Sequence, residues 1–365
     1  MTECRNADKQ GNGLVTKSFG VLAAVDWVII GIITMKGSNS DNAQQKTDIT
    51  EITNDISASN QPRNTRTLKL VGAGIVAVGA ITLATQQAQA LSALAVVNGI
   101  TSNSGVSVSK NILYGDEPAQ DLDIYYPKSL AQAMKAQDTI NNTYPMVVFV
   151  HGGSWESGSK DEYAFVGQSL AQAGYVTAVI NYRKAPEHVY PDYVEDTAQA
   201  IAWSVNNAPS LHVDPKRVAV VGHSAGAFNA VAAMSNEDFL APYGIKPKDI
   251  AAVIGIAGPY SYDFRKFASV TAFAADATPN AVMPDRQIKG EQPPYLLLTA
   301  EKDKVVHKTN TIKMTQALKD HGVTVENGEI EGASHATSIG AMAPPLRWVN
   351  DVRAQVLTYL DKNLK

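Results

Sequence analysis

The segment "RVAVVGHSAGAFNAVAAM" (Arg217 to Met234) joins a strand pattern to a helix pattern through the pentapeptide GHSAG. A run of consecutive apolar residues rich in valine is typical of a strand buried on both faces, and the alanine-rich run that follows favours a helix. The sharp turn between them needs small neighbours, which Gly222 and Gly226 supply. Such a turn presents the hydroxyl of Ser224 at the carboxyl end of a sheet, where open α/β sheets bind ligands. The segment therefore predicts an α/β fold with Ser224 as the candidate nucleophile.

Strands of the same kind alternate with helical patterns along the chain, which predicts a mostly parallel sheet with helices on both faces. The runs Val106 to Ile112 and Leu122 to Tyr126 are interpreted as antiparallel edge strands. The predicted core strands, besides the one before Ser224, are Met146 to Val150, Tyr175 to Asn181, Ala251 to Gly258, Tyr295 to Ala300 and Val323 to Ile330.

Helical spacing is present over 163–174, 193–208, 309–322 and 346–364. Gly174 and Gly322 are expected to close two of these helices in the left-handed conformation, which glycine adopts without strain. No repeat or linker interrupts residues 91–365, so we predict one domain there. The stretch from Pro259 to Gln292 is longer than a simple connection between two strands, so it is a candidate cap beside a substrate pocket.

The order of residues over 63–90 is that of a secretory signal peptide. A basic stretch beginning at Arg63 precedes an apolar run from Leu70 to Thr85, and small residues at Ala88 and Ala90 fit the signal-peptidase rule. Cleavage after Ala90 predicts an exported mature chain that begins at the next residue.

Residues 1–62 precede this leader and include a polar, patternless stretch that is typical of disorder. One interpretation is that translation starts further along the chain, so that these residues have no structural role. The alternative to cleavage is an apolar segment that stays in place and tethers the protein to a membrane.

Composition excludes several classes of function. The formal net charge of -4 gives no broad basic surface of the kind that binds nucleic acid. The single cysteine, Cys4, precedes the predicted cleavage site, which leaves neither a disulfide nor a thiol nucleophile in the mature chain. The seven histidines are scattered and form no zinc motif. We therefore expect a reaction without metal or cofactor.

The motif "HGGSW" (His151 to Trp155) directly follows a predicted core strand. A loop at this point can supply backbone N–H groups to a developing oxyanion. Side chains at Gly152 and Gly153 would obstruct that approach, so glycine is required there. The residue after the nucleophile, Ala225, is the predicted additional donor. The sequence therefore predicts an oxyanion hole formed by Gly152, Gly153 and Ala225.

A nucleophilic serine needs a general base, and in folds with this turn the chain order is serine, acid, histidine. His321 lies at a helix end, where it would interact with the last carbonyls, and His307 follows a charged stretch, so both are interpreted as surface residues. His335 lies in a loop of small residues after the last core strand and is the predicted base.

Two carboxylates directly follow the strand Tyr295 to Ala300. Either one would reach the second ring nitrogen of His335, fix its tautomer and stabilise the imidazolium that forms during attack. We predict Asp303 as the acid of the triad, with Glu301 as the alternative.

The chain from about Tyr114 to its end resembles the hormone-sensitive-lipase-like and related small bacterial carboxylesterases of the α/β-hydrolase superfamily. Three motifs carry the resemblance: "HGGSW", "NYRKAPEHVYP" (Asn181 to Pro191) and "GHSAG". The resemblance implies the α/β-hydrolase fold and the same triad and oxyanion donors that were derived above from the residues.

The chain differs from this pattern at two positions, because Ser154 stands in place of the third loop glycine and Lys184 in place of a leucine. The motifs are therefore also similar to those of arylformamidases and feruloyl esterases. The sequence predicts a small-molecule ester substrate with a short acyl chain, hydrolysed through an acyl-enzyme on Ser224. Amide hydrolysis on the same triad is the second hypothesis. The third is a binding protein that kept the fold and lost turnover.

Overall fold

The computed structural model describes residues 93–101, 105–140 and 142–365. The predicted leader at 63–90 and the segment 1–62 lie outside the described residues, so both remain predictions. Among the helices of the described ranges, none combines the length and the apolar character needed to cross a lipid bilayer.

Within the described residues, the strands form one sheet of eight, in the order β1-β2-β4-β3-β5-β6-β7-β8. The β1 and β2 strands run antiparallel to their neighbours, as predicted for the edge runs, and all other pairs are parallel. The bounds are Ser107–Leu113 (β1), Asp121–Tyr126 (β2), Tyr144–Val150 (β3), Val176–Ile180 (β4), Val213–His223 (β5), Ala252–Ile256 (β6), Tyr295–Ala300 (β7) and Val325–Ile330 (β8). The predicted mostly parallel sheet is confirmed.

The helices cover both faces of this sheet. Along β3, alternate side chains enter two different hydrophobic clusters, because successive side chains of a strand point to opposite faces. Helices α4 and α5 contribute to the first cluster, and α3 and α9 to the second. The bounds are 93–100 (α1), Lys128–Ala136 (α2), Ala164–Gln172 (α3), Asp192–Asn206 (α4), Ala225–Ser235 (α5), Pro279–Val282 (α6), Thr309–Asp320 (α7), Thr337–Gly340 (α8) and Val352–Leu364 (α9). The predicted α/β-hydrolase fold class is confirmed.

The last helix begins later than predicted. Helical spacing favoured 346–364, but α9 begins at Val352 and is preceded by a short 3₁₀ turn at Pro344–Leu346. The Asn350 side chain explains the difference, because its amide donates to the carbonyl of Thr337 and its oxygen accepts from the Val352 N–H. These bonds hold the chain before α9 against the loop that carries His335.

The two predicted helix-closing glycines, Gly174 and Gly322, have φ angles of 100° and 73°, respectively. Both lie just beyond the ends of α3 and α7 in the left-handed region, as expected from their position.

The predicted cap is an insertion of short turns between β6 and β7. It includes 3₁₀ segments at Phe264–Lys266 and Ala268–Ala272. The carbonyl of Ala272 accepts from the backbone N–H of Tyr190 at 2.9 Å and from the hydroxyl of Tyr193 at 3.0 Å. The insertion is therefore attached to the segment that follows β4, at the carboxyl end of the sheet.

Candidate active site

The pentapeptide around Ser224 forms the sharp turn from β5 into α5. Ser224 has φ 55° and ψ -123°, a conformation that strains any residue with a side chain. A Cβ atom on Gly222 would collide with the carbonyl of Gly226, and one on Gly226 would collide with the carbonyls of Val150 and His151. Glycine is thus required at both positions by close backbone approach, and the turn leaves Ser224 partly exposed.

The structure brings together the three residues predicted as a triad. The Nε2 atom of His335 lies 2.9 Å from Oγ of Ser224, and its Nδ1 atom lies 2.8 Å from Oδ2 of Asp303. A carboxylate accepts only, so Nδ1 carries the proton and Nε2 is free to accept from the serine hydroxyl. This is the protonation state that a general base requires.

Asp303 is held as an anion at the end of β7. Burial raises its pKa, but hydrogen bonding and charge attraction from His335 and two backbone N–H donors outweigh burial and lower the pKa below its usual value. Those donors are Val305 and Val306, at 2.8 and 2.9 Å from Oδ1. The side chain is only 4% exposed, so its charge acts on His335 with little screening.

The alternative residues lie elsewhere. Glu301 is exposed, and its carboxylate accepts from the backbone N–H of Gly332 at 2.6 Å instead of from His335. His321 is exposed at the end of α7, with Nδ1 2.7 Å from the carbonyl of Ala317. His307 is exposed as well. The structure therefore places Asp303, and not Glu301, beside the candidate base.

The HGGSW loop lies against the serine turn because β3 and β5 are neighbours, with Val150 paired to Gly222. A Cβ atom on Gly152 would lie 3.0 Å from Cβ of Ser224. A Cβ atom on Gly153, whose φ is 134°, would collide with the carbonyl of Ser157. The motif thus brings its backbone, not its side chains, next to the serine.

Hydrogen bonds fix the orientation of two peptides in this loop. The Gly152 carbonyl accepts from Nδ1 of His151 at 2.8 Å, and the Gly153 carbonyl accepts from Ser157 through both its N–H and its hydroxyl. The Gly152 carbonyl shares a peptide with the Gly153 N–H, and the Gly153 carbonyl shares one with the Ser154 N–H. Because the C=O and N–H of a trans peptide point in opposite directions, these two N–H groups point away from the partners of the carbonyls. Within the described ranges, neither of these amides nor that of Ala225 donates to any acceptor.

The Gly152 backbone lies close to the Tyr163 hydroxyl, and this polar contact offsets part of the rise in the pKa of Tyr163 that burial causes. The donor role predicted for Gly152 stays a prediction. Ser154 was not among the donors predicted from the sequence, although its place after the two motif glycines was a usable signal. Its φ of 55° is a conformation that glycine adopts more readily.

The "NYRKAPEHVYP" segment packs against the HGGSW loop. The Tyr182 hydroxyl donates to the His151 carbonyl at 3.0 Å, and the two rings stack with centroids 4.4 Å apart. The Lys184 ammonium donates to the Gly158 carbonyl at 2.6 Å. Arg183 binds the buried Asp196 of α4 through its guanidinium, which fixes the segment to the helix layer.

An aromatic cluster fills the space next to the HGGSW loop. Trp155 is 2% exposed, donates its indole N–H to Asn229 of α5 at 2.8 Å, and meets Phe228 and Phe273 edge to face. Phe273 belongs to the insertion, as does Thr271, whose hydroxyl donates to the Glu156 carboxylate next to Trp155. The insertion therefore packs against α5 and against the residues at the end of the HGGSW loop.

The chain is similar to a known protein family and to several esterases. The family model BD-FAE matches residues 122–318. Esterase LipC of Mycobacterium tuberculosis is 29% identical over 260 residues, which are 65% of this chain and 62% of LipC. The probable isoprenylcysteine alpha-carbonyl methylesterase ICMEL1 of Oryza sativa subsp. japonica is 34% identical over 161 residues, 42% of this chain and 35% of that protein. The chain thus spans less than two thirds of the length of these curated relatives.

A structural comparison gives the same fold. Esterase B from Lactobacillus rhamnosis matches with a TM-score of 0.60 at 18% sequence identity, and the match covers 80% of this chain and 96% of esterase B. The resemblance to carboxylesterases of the α/β-hydrolase superfamily, which three motifs predicted, is confirmed. The family match covers more than half of the chain, including the strands that carry the HGGSW loop and Ser224, and the protein is therefore a member of the BD-FAE family with the α/β-hydrolase fold.

Proposed function

We propose that this protein is a serine carboxylesterase that hydrolyses small acyl esters through an acyl-enzyme on Ser224. The observation that carries the proposal is the hydrogen-bonded chain from the Ser224 hydroxyl through His335 to Asp303, with distances of 2.9 and 2.8 Å. The similarity to LipC and to the rice methylesterase supports an ester as the substrate.

In the acylation step, Nε2 of His335 takes the hydroxyl proton as Oγ of Ser224 bonds to the ester carbonyl carbon. The carbonyl π electrons move to oxygen and form a tetrahedral oxyanion, while the Asp303 carboxylate stabilises the imidazolium. The bond from carbon to the alcohol oxygen then breaks, and Nε2 returns the proton to that oxygen. Water, deprotonated by the same nitrogen, releases the acid and restores Ser224.

The oxyanion needs N–H donors that are not already used. Gly153 and Ala225, both predicted from the sequence, keep this role in the proposal. Gly152 is the remaining donor predicted from the sequence, and Ser154 is a further candidate because its amide has no backbone acceptor within the described residues. Each such donor contributes about 3 to 4 kcal/mol of transition-state stabilisation.

The aromatic cluster supports a short acyl group. Trp155 follows the oxyanion loop directly, and Phe228 lies one helical turn after Ser224 on α5. Both are almost completely buried and packed edge to face, with Phe273 closing the cluster from the insertion. We expect the acyl group to extend toward these rings, where a long chain would have to displace well-packed side chains at a high free-energy cost.

Replacement of the nucleophile tests the proposal. Ser224→Ala should reduce kcat for p-nitrophenyl acetate by about 10⁶-fold, the loss typical of a triad serine. A phosphonate ester should label the wild-type chain at Ser224 and fail to label the variant. Ser210→Ala, the same change at an exposed serine, is the matched control. Hydrolysis by the Ser224→Ala variant at the wild-type rate would overturn the proposal.

A substrate panel separates the remaining hypotheses. Nitrophenyl esters of rising chain length should show kcat/KM falling beyond short acyl groups. N-formylkynurenine and methyl ferulate test the amide and feruloyl alternatives on the same triad. Preference for N-formylkynurenine over every ester would replace the esterase proposal with amide hydrolysis, and no turnover of any member would favour a binding protein that kept only the fold.

We further propose that the chain is exported through the leader at 63–90. The support is the order of basic, apolar and small residues before Ala90. Expression of the full chain in a bacterium, followed by mass spectrometry of the extracytoplasmic protein, should find an N-terminus at Leu91. Recovery from the membrane fraction with Arg63 still present would replace cleavage with a membrane anchor.

A further inference from the structure

The residue before the nucleophile, His223, is buried beneath the candidate triad. It is the last residue of β5 and is only 3% exposed. Its Nε2 atom lies 3.3 Å from the backbone carbonyl of His335, and its Nδ1 atom lies 3.4 Å from the hydroxyl of Tyr163. The rings of His223 and His335 lie with centroids 5.0 Å apart. His223 is therefore in contact with the segment that carries the candidate base.

The partners of His223 determine its tautomer. A backbone carbonyl only accepts, so Nε2 of His223 carries the proton and donates to the backbone carbonyl of His335. Nδ1 then accepts from the Tyr163 hydroxyl. The same carbonyl of His335 also accepts from the Ser338 hydroxyl at 2.7 Å. The backbone of the base is thus held from two sides while its side chain bonds to Ser224 and Asp303.

The same network reaches the oxyanion loop. The Tyr163 ring stacks on the ring of His151 with centroids 5.9 Å apart, and a Cβ atom on Gly152 would lie 3.1 Å from Nδ1 of His223. Tyr163 and His223 therefore connect three chain segments that are distant in sequence. These segments are the HGGSW loop, the serine turn and the loop that carries His335.

A neutral His223 does not oppose the positive charge that forms on its neighbour His335. During acylation His335 becomes an imidazolium, and a second positive ring 5.0 Å away would oppose that charge. Burial, together with the charge of His335, lowers the pKa of His223 to about 3. His223 thus stays neutral across the pH range in which His335 can act as a base.

We propose that His223 is a positioning residue that sets the distance between Ser224 and His335 by bonding the backbone of the base to the strand of the nucleophile, with Tyr163 fixing its tautomer. The inference rests on the proposed function, because the distance matters only if these two residues exchange a proton. Misplacement of reacting groups by about 1 Å lowers the rate on the order of 100-fold.

The test uses the full chain with p-nitrophenyl acetate. His223→Phe keeps an aromatic ring but removes both nitrogens, so kcat should fall on the order of 10- to 100-fold with KM nearly unchanged. His223→Gln places an amide N–H near the position of Nε2 and should recover part of the loss. Tyr163→Phe removes one hydroxyl and should give a smaller loss in kcat, also without a change in KM.

A structural readout separates positioning from general destabilisation. Tyr359→Phe removes a hydroxyl from another buried tyrosine, on α9, and should leave kcat and KM at wild-type values. The low-field proton resonance of Nδ1 of His335 should shift or broaden in His223→Phe and keep its wild-type position in Tyr359→Phe. This resonance does not depend on turnover, so it reports on the base even in a slow variant.

The outcomes distinguish the two proposals. A Ser224→Ala variant that retains activity defeats the proposed function and, with it, the positioning role. If Ser224→Ala is inactive and His223→Phe has wild-type kcat, only the positioning role is overturned. Equal losses in His223→Phe and His223→Gln with an unshifted resonance overturn it as well. If His223→Phe fails to fold, Tyr163→Phe decides by the same resonance and kcat, and wild-type values of both overturn the proposal.

Discussion

The Oδ2 atom of Asp303 lies 2.8 Å from Nδ1 of His335, while Glu301, two residues earlier, bonds to the backbone of Gly332. The difference follows from the end of β7. The chain turns after Ala300, and the N–H groups of Val305 and Val306 bind the other oxygen of Asp303, which fixes its carboxylate toward the base. Glu301 projects instead to the exposed side of the same turn.

This relationship predicts unequal effects of two conservative substitutions. Asp303→Asn removes the charge that stabilises the imidazolium and favours the wrong tautomer of His335, so kcat should fall about 10³- to 10⁴-fold. Glu301→Gln is the matched control and should keep kcat within a few-fold of wild type, since an amide oxygen can still accept from Gly332. Steady-state kinetics with p-nitrophenyl acetate measures both. A larger loss in Glu301→Gln than in Asp303→Asn would reassign the acid.

The serine turn predicts a strong requirement for glycine at position 226. In Gly226→Ala the new methyl group would collide with the carbonyls of Val150 and His151, so β3 and α5 must separate. The free energy of unfolding should fall by about 1 to 3 kcal/mol, the usual cost of overpacking. Gly99→Ala offers a control, because a Cβ there meets nothing within 4 Å and lies in a helix. Urea unfolding of both variants checks the prediction. An unaltered midpoint in Gly226→Ala would contradict it.

Two buried histidines predict a loss of stability in acid. Burial lowers the pKa of His151 to about 3. Burial and the charge of His335 lower the pKa of His223 to about 3 as well, whereas the value in the unfolded chain is 6.5. Between these values the unfolded chain binds protons that the folded chain does not, so the free energy of unfolding falls as the pH falls. Each histidine contributes up to about 1.4 kcal/mol per pH unit in this window.

His151→Phe should therefore make the free energy of unfolding less dependent on pH between 6.5 and 4 than in the wild-type chain. Tyr182→Phe is the control, because it removes the hydrogen bond to the His151 carbonyl but no histidine. It should lower stability equally across this range. Urea titrations at several pH values provide the measurement, and an unchanged slope in His151→Phe would show that its ring is not held neutral by burial.

A buried ion cluster beside the edge strands predicts a large effect of one lysine. The Lys160 side chain is 2% exposed, and its ammonium lies 2.9 Å from Asp123 and 3.3 Å from Asp121. Lys160→Met leaves both carboxylates without this partner, and loss of one member of a buried pair typically costs about 3 to 5 kcal/mol. Lys362→Met breaks an exposed pair with Glu326 and should cost less than about 1 kcal/mol. Equal unfolding midpoints of the two variants would contradict the prediction.

The sequence alone determined the fold class and most strands, because their signals are local. The valine-rich runs of β3 and β5 show burial on both faces, and the glycines around Ser224 show a tight turn. The helix-closing glycines were predictable for the same reason. The start of α9 was not, because it depends on a side chain, Asn350, that bonds to the distant Thr337.

The candidate triad was also predicted from chain order and motif position, but its selection among carboxylates was decided in three dimensions. Asp303 and Glu301 follow the same strand with no local pattern to separate them, and only the turn after β7 shows which one faces His335. The Tyr163 and His223 network gave no signal at all in the sequence. Its members are far apart along the chain, and they meet because parallel pairing of β3 with β5 aligns the carboxyl ends of both strands.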